Sequence, residues 1–389
     1  MSLFVETSSA SLNKQGEELC GDKVELNRGK KGTFLVLADG LGSGVKANIL
    51  ASLTSKIVIT MLLEDAHISD IVDTMSATLP VCKVRQVAYS TFTFVHIEPN
   101  GHARIVEYDN PDTIVLRNGK SLSLDRTIRE IDGKQIREIN MDFQPGDQCI
   151  VCSDGVVHAG VGKSLNLGWQ HENVVKFLEK SYCKNATAHH TQSLLLAACN
   201  NLYMETPGDD TTVAVCKIRN PNAAYVMVGP PISREDDERL VKSFLERKGA
   251  KIVCGGTTSQ IVSRVTGKEL TTDLNYLSPA IPPIGYIEGI DLVTEGIITL
   301  GETLRLIKKY ETESGDKYKL LHSRHDGAAK LARYLIEKCT SVTFIVGRAL
   351  NPAHKKSKIS IDLNLKLKLV REITDCLSRL GMGVEIEYH

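Results

Sequence analysis

The sequence predicts an α+β chain in two parts: a first half built on an antiparallel meander with helices, then an α/β domain with a mainly parallel sheet. Three observations carry this. Between Val87 and Leu124, two β-rich runs flank Pro99-Asn100-Gly101 and a third follows Asn110-Pro111, which is the turn chemistry of an antiparallel meander. From Ala223 onward, short apolar runs alternate with amphipathic stretches, as parallel strands joined by helices do. The composition shifts at Arg219-Asn220-Pro221-Asn222, which places one domain at 1–218, a linker at 219–222 and a second domain at 223–389.

Composition narrows the function classes. The 389 residues carry 47 basic and 47 acidic side chains, so no global field attracts nucleic acid or an anionic membrane. No apolar run reaches bilayer-spanning length, and the first eighteen residues lack a basic region leading into an apolar one. The expectation is a cytoplasmic protein with neither membrane nor nucleic acid as partner. The ten cysteines lie mostly inside apolar segments and read as packed thiols of a reducing compartment. Cys149 and Cys152 form a single CxxC within a strand-like run, a core pair more than a zinc site.

In chain order, the stretch Thr33–Leu50 (TFLVLADGLGSGVKANIL) comes first. Phe34–Ala38 reads as a buried strand; it ends in Asp39-Gly40, glycines recur at Gly42 and Gly44, and a helical pattern runs from about Val45 to Leu63. Asp39 there is a helix cap or a ligand-reaching carboxylate, and the glycine spacing also passes for a weak dinucleotide loop. A second helix covers about Ile68–Leu79. After the meander, strands fit Ile128–Met141 and Gln148–Cys152, the latter ending in Ser153-Asp154-Gly155. Helices fit His171–Tyr182 and Ala186–Tyr203, and Gly208-Asp209-Asp210-Thr211-Thr212 leads into a last strand, Val213–Ile218. His189 and His190 are adjacent on a helix and point to different faces, so they do not make a metal site.

Singly, each acidic turn reads as turn chemistry. Jointly, Asp22, Asp39, Asp154 and Asp209-Asp210 are harder to dismiss. If the strands bring them together, carboxylates a few ångströms apart cannot all stay ionised in a dry site. Divalent cations resolve that repulsion, and an all-oxygen ligand set selects Mg²⁺ or Mn²⁺ over zinc.

On Gly21-Asp22, ADGLGSG at 38–44, SDG at 153–155 and GDDTTV at 208–213, in that order and spacing, residues 1 to about 218 resemble the metal-dependent PPM (PP2C-type) protein phosphatases of the bacterial SpoIIE/RsbU-like branch. The resemblance implies an αββα sandwich, a phosphorylated protein as substrate, and hydrolysis of phosphoserine or phosphothreonine by a water activated between two Mn²⁺ or Mg²⁺ ions. It implies that Asp39 bridges the metals and the Gly40 carbonyl binds one of them. Asp22 and Asp154 would each hold a metal, and Asp209, with Asp210 as its neighbour, would be the last ligand. Asp39 and Asp154 are thereby the catalytic pair, acting through the bound water. Eukaryotic members hold the phosphate with an early arginine; residues 1–27 contain none, which leaves Lys14 or Lys23 as substitute. The region Glu64–Arg85 corresponds to a movable helical pair in relatives.

In the second half, strands fit Ala223–Val228, Lys251–Cys254, Gly289–Thr294, Val342–Val346 and Gly383–Glu387. Helices fit Asp236–Lys248, Thr257–Val265, Gly301–Tyr310, Gly327–Lys338 and Leu363–Leu380. This is a Rossmann-like alternation, in which ligands sit at the carboxyl ends of the strands. The loop Gly255-Gly256-Thr257-Thr258 opens a helix there and is the candidate anion site for a small-molecule ligand. It matches neither a Walker A loop nor the dinucleotide fingerprint. His322-x-x-His325 lacks a third ligand, and the basic run His354–Arg371 reads as a polar loop entering a helix. Two functions follow: a metal-dependent serine/threonine phosphoprotein phosphatase with a C-terminal regulatory domain, or a non-catalytic module of the same fold whose second domain reads a small anionic metabolite. A homodimer is compatible with either.

Overall fold

The computed structural model describes residues 2–78, 90–131, 134–272, 281–312, 321–349 and 359–389. The chain divides into two compact units, Met1–Asn220 and Pro221–His389.

The first unit contains β1 (Phe4–Leu12), β2 (Asp22–Gly29), β3 (Gly32–Gly40), α1 (Gly44–Leu63), α2 (Ile68–Thr78), β4 (Ser90–Ile97), β5 (His102–Tyr108), β6 (Ile114–Arg117), β7 (Lys120–Ser121), β8 (Thr127–Ile131), β9 (Lys134–Asp142), β10 (Gln148–Cys152), α3 (Asp154–Val157), α4 (His171–Lys180), α5 (Ala188–Leu202) and β11 (Thr211–Arg219). Two sheets form, ordered β1-β11-β10-β6-β7 and β2-β3-β4-β5-β9-β8. All their pairings are antiparallel.

Strand β3 shows how the layers arise. Its side chains alternate across the sheet. Leu35 and Leu37 enter a core with Val115, Val151 and Ala214 of the facing sheet. Phe34, Val36 and Ala38 enter a second core with Ala51, Val58 and Ile71 of α1 and α2. Both faces are covered, so the strand reads as an unbroken apolar run. A third core packs Ile150 and Val215 on Val174, Leu178 and Leu195 of α4 and α5. The result is an α–β–β–α stack of four layers.

Two expectations are corrected here. Strand β1 has no counterpart among the strands expected from the sequence; it is the edge partner of β11, and only Val5 and Glu6 along it are buried, so its sequence has no apolar alternation to read. The expectation that no apolar stretch has spanning length also fails. Helix α1 has 20 residues at mean hydropathy 1.4, long and apolar enough by composition to cross a bilayer, with 39% of that window buried. Its apolarity has a packing cause on one side, since Ala47, Ala51, Val58 and Leu62 are buried against the sheet, while Val45, Ile49 and Leu53 are exposed. Of the predicted Glu64–Arg85 pair, residues 79–85 lie outside the described residues.

The second unit contains β12 (Ala223–Val228), a 3₁₀ turn (Arg234–Asp236), α6 (Asp237–Glu246), β13 (Ala250–Cys254), α7 (Gly256–Thr266), β14 (Thr271–Thr272), β15 (Gly285–Tyr286), β16 (Leu292–Thr294), α8 (Ile297–Thr312), α9 (Gly327–Arg333), a π-turn (Tyr334–Lys338), β17 (Ser341–Val346), α10 (Ile359–Arg379) and β18 (Gly383–Tyr388). One sheet runs β14-β15-β16-β13-β12-β17-β18. The five strands from β16 to β18 are parallel, and the order reverses between β12 and β17. Core residues cover both faces, with Val226, Ile252 and Phe344 against α8–α10 and Met227, Val253 and Ile345 against α6 and α7. The described cysteines form no disulfide among themselves, and Cys149 and Cys152 are buried within β10. Of the run His354–Arg371, residues 354–358 lie outside the described residues, and the remainder belongs to α10.

Candidate active site

Three turns meet at one end of the first unit. The β2–β3 ladder sets Asp22 directly opposite Asp39. Gly40 amide donates to the Gly21 carbonyl at 3.1 Å, and a Cβ on Gly40 would lie 2.1 Å from the Ala47 carbonyl, so only glycine lets β3 turn this tightly against α1. The Ser90 hydroxyl donates to the Asp39 carbonyl at 2.8 Å.

The second turn follows β10. Ser153 and Thr212 interlock: the Thr212 amide donates to Ser153 Oγ at 2.8 Å and the Ser153 amide to the Thr212 carbonyl at 3.0 Å. A Cβ on Gly155 would lie 2.1 Å from the Asp210 carbonyl, so the Asp154-Gly155 turn sits flush on the Asp209-Asp210 turn. The buried Tyr203 hydroxyl donates to the Gly155 carbonyl at 2.8 Å and fixes it there. The N-terminal loop closes the third side: the Lys14 amide donates to Asp210 Oδ1 at 3.0 Å, and Lys14 Nζ stands 3.8 Å from Asp209 Oδ1. Lys23 immediately follows Asp22 on β2 and is exposed, so strand alternation sends it to the other face.

The electrostatics follow from this crowding. Burial, then the charges of Asp22, Asp154 and Asp209, push the Asp39 carboxyl far above the usual range. Burial raises Asp22, with Asp210 and Asp154 adding to it, while the nearby hydroxyls of Ser153 and Thr212 oppose the rise. Those hydroxyls make no bond of ordinary geometry to Asp22: both of its carboxylate oxygens are buried without a hydrogen-bond partner, as is Asp210 Oδ2. Burial and Asp209 raise Asp154, and His158, one helical turn on with Nδ1 3.9 Å from Asp154 Oδ2, lowers it. Asp22, Asp39, Asp154, Asp209 and Asp210 thus act on one another electrically. Among the described residues, no three His, Cys, Asp or Glu side chains close on a common point tightly enough to ligate an ion as they stand. The donor set is nonetheless all oxygen, and partnerless buried carboxylate oxygens fit a hard divalent cation.

A cavity of about 510 Å³ adjoins Asp154, walled by Asn110, Asp112, Gln135, Arg137 and His158. Arg137 is held by Asp112, by Glu107 at 3.3 Å and by the Asn110 carbonyl at 2.6 Å. Sequence reasoning missed this wall, because its members come from separate strands and carry no local motif.

Residues 29–219 match the family model described as Stage II sporulation protein E (SpoIIE). The match spans most of the first unit, which is similar to a SpoIIE-type PP2C phosphatase domain. Solved structures similar to the chain include the phosphatase domain of the cell-fate determinant SpoIIE from Bacillus subtilis, at 17% identity and TM-score 0.44, covering 56% of this chain and 94% of that one. RsbX in complex with magnesium is similar at 18% identity and TM-score 0.40, covering 55% and 96%. The RsbU and RsbW domains of a Mycobacterium tuberculosis protein are similar at 13% identity and TM-score 0.45, covering 63% and 69%. No curated protein matches the chain. The SpoIIE-type unit places Asp22, Asp39, Gly40, Asp154 and Asp209 at one end of its sandwich. In the second unit, Gly255, Gly256, Thr257 and Thr258 form the start of α7 at the end of β13. His322 pairs with Glu337 at 3.0 Å.

Proposed function

We propose that the SpoIIE-type unit is a Mg²⁺- or Mn²⁺-dependent phosphatase of phosphoserine or phosphothreonine in proteins, acting in the cytoplasm, and that residues 223–389 regulate it. The observation that carries this reading is the Asp22–Asp39 pair, with both Asp22 oxygens buried and partnerless where two further acidic turns converge. Asp22, Asp39, Asp154, Asp209 and the Gly40 carbonyl would hold two ions, with Asp210 steering the Lys14 backbone. When bound, such ions supply the Lewis acidity that ionises water near neutral pH and offsets phosphoryl charge.

The chain's own residues supply position. The paired turns of Ser153–Gly155 and Asp209–Thr212 hold the carboxylates on a rigid rim, so little reorganisation accompanies reaction. Lys14 sits at that rim as a point charge for a phosphoryl oxygen, in the role that arginine fills in eukaryotic members. The cavity beside Asp154 receives the polypeptide that carries the phosphate. Mostly buried thiols, with no disulfide among the described cysteines, support a reducing compartment.

The test is manganese-dependent hydrolysis of p-nitrophenyl phosphate and of a phosphoserine peptide. Asp39→Asn and Asp154→Asn are each expected to abolish turnover while the variants still fold. Undiminished turnover in either variant rejects the assignment.

A further inference from the structure

The second unit carries a buried charge that no described carboxylate balances. Lys366, on α10, is 9% exposed. Its ammonium donates to the Gly347 carbonyl just beyond β17. A Cβ on Gly229, just beyond β12, would lie 2.5 Å from Lys366 Nζ, so glycine is what admits the amine. Gly229 itself has φ +80, a conformation other residues adopt at a cost. No carboxylate pairs with Lys366 among the described residues, and burial alone lowers its pKa to about 8. A buried ammonium normally has an anion beside it, because desolvation of a lone charge is expensive.

The position has a meaning of its own. β12 and β17 are the neighbours between which the strand order reverses, and in open α/β sheets the ligand crevice opens at the carboxyl ends of such a pair. The surroundings point the same way. The Gly229 amide donates to Thr258 Oγ1 at 2.9 Å, which ties the Lys366 pocket to the first turn of α7. The amides of Gly256, Thr257 and Thr258 have no partner within the helix, and Gly256 and Thr257 are exposed. Across from them, the end of β16 packs close: the Gly255 amide donates to the Thr294 carbonyl at 2.9 Å, and a Cβ on Gly296 would lie 3.5 Å from Gly255 Cα. Glu295 in that turn has a buried Oε2 without a hydrogen-bond partner. The carboxyl ends of β12, β13, β16 and β17 thus bring together a cation without a described counter-charge, a row of amides and a buried acceptor without a donor.

We propose that this crevice binds a small phosphorylated molecule, its phosphate held between the Lys366 ammonium and the first-turn amides of α7, and a hydroxyl on the same molecule donating to Glu295. Three amides and an ammonium suit the several oxygens of a phosphate. The residues of this site all belong to the second unit, so the phosphatase assignment can fail without affecting it.

The experiment is calorimetric titration of the full chain in EDTA with inorganic phosphate and with ribose 5-phosphate; chelation leaves the acidic turns of the first unit repelling both. Both probes are expected to bind, ribose 5-phosphate the tighter. Lys366→Met should weaken both by about tenfold or more, the scale of one charge-assisted contact. Should that variant fold poorly, Gly256→Pro serves instead. It removes one amide at a helix position that tolerates proline, where an added Cβ meets nothing within 4 Å, and should weaken both probes several-fold. Glu295→Gln should leave inorganic phosphate unchanged and reduce the advantage of ribose 5-phosphate. Absence of binding by both probes at millimolar concentration, or wild-type affinity in well-folded Lys366→Met, overturns the proposal.

Discussion

Asp22 and Asp39 face each other across the first rung of the β2–β3 ladder, and neither oxygen of Asp22 has a hydrogen-bond partner. Two carboxylates in one dry register position form an arrangement that folding alone does not favour. Its cost sets what the unit does with protons and cations.

The first prediction concerns pH. Burial and neighbouring carboxylates raise Asp39 to about 9, and burial raises Asp22 to about 6, from 3.8. The folded chain then binds these protons more tightly than the unfolded chain, so stability falls as pH rises from the unfolded value through the folded ones. In chelator, the melting temperature of the first unit should decline from about pH 5 to about pH 9. Saturating Mn²⁺ should flatten the decline, and Asp39→Asn should remove most of it. A chelated protein whose melting temperature does not change with pH would contradict the account.

Gly155→Ala tests the seating of one acidic turn on another. The new Cβ would meet the Asp210 carbonyl at 2.1 Å, and backbone cannot yield as a side-chain tip can. The expected loss is about 1–3 kcal/mol in urea unfolding, with phosphatase activity falling further than stability does. Retained activity would mean that the two turns move independently.

Glu107 is fully buried on β5 and meets Arg126 at 3.0 Å and Arg137 at 3.3 Å, while the Thr113 amide donates to it at 2.6 Å. Glu107→Ala leaves two partly buried guanidinium groups with less counter-charge and an orphaned amide. Loss of one partner of a buried pair costs about 3–5 kcal/mol, read as a lower denaturation midpoint at unchanged slope. A loss within experimental error would show that the arginines find other partners.

In the second unit, Glu302 is held down to about 2, first by Arg305 and then, against its burial, by Arg324. A depressed carboxyl contributes stability that is complete above the ordinary value of 4.5 and is lost as pH falls toward 2. Glu302→Gln should therefore destabilise at neutral pH and shrink the difference from wild type in acid. An equal difference at both pH values would point to lost packing instead of charge.

Much of the fold could be read from local pattern. The alternation after Ala223 gave the parallel strands because each is covered on both faces and flanked by glycine turns. The acidic turns stood out because Asp-Gly after an apolar run is locally distinctive. Other features had no local cause. Strand β1 is held by pairing to a strand some two hundred residues away, and its Ser- and Thr-rich sequence carries little of its own preference. Whether Asp209 or Asp210 faces Asp39 depends on how one turn lands on another, since Asp210 is 5% exposed while the side chain of Asp209 is 41% exposed. Lys366 lay within a run of alternating basic and apolar residues, and only the return of α10 over the glycines after β12 and β17 distinguishes it from its neighbours.

The pairing of Phe4 with Arg219 has a consequence for biogenesis. On the ribosome, the first strand emerges long before its mate is translated, so it must wait, soluble and unzipped, while the opposite sheet and both helix layers are synthesised. Its hydroxyl-rich sequence suits that wait, since it offers little for premature aggregation. The rim that carries Lys14 is continuous with this strand, so it can set only after the last strand of the unit arrives.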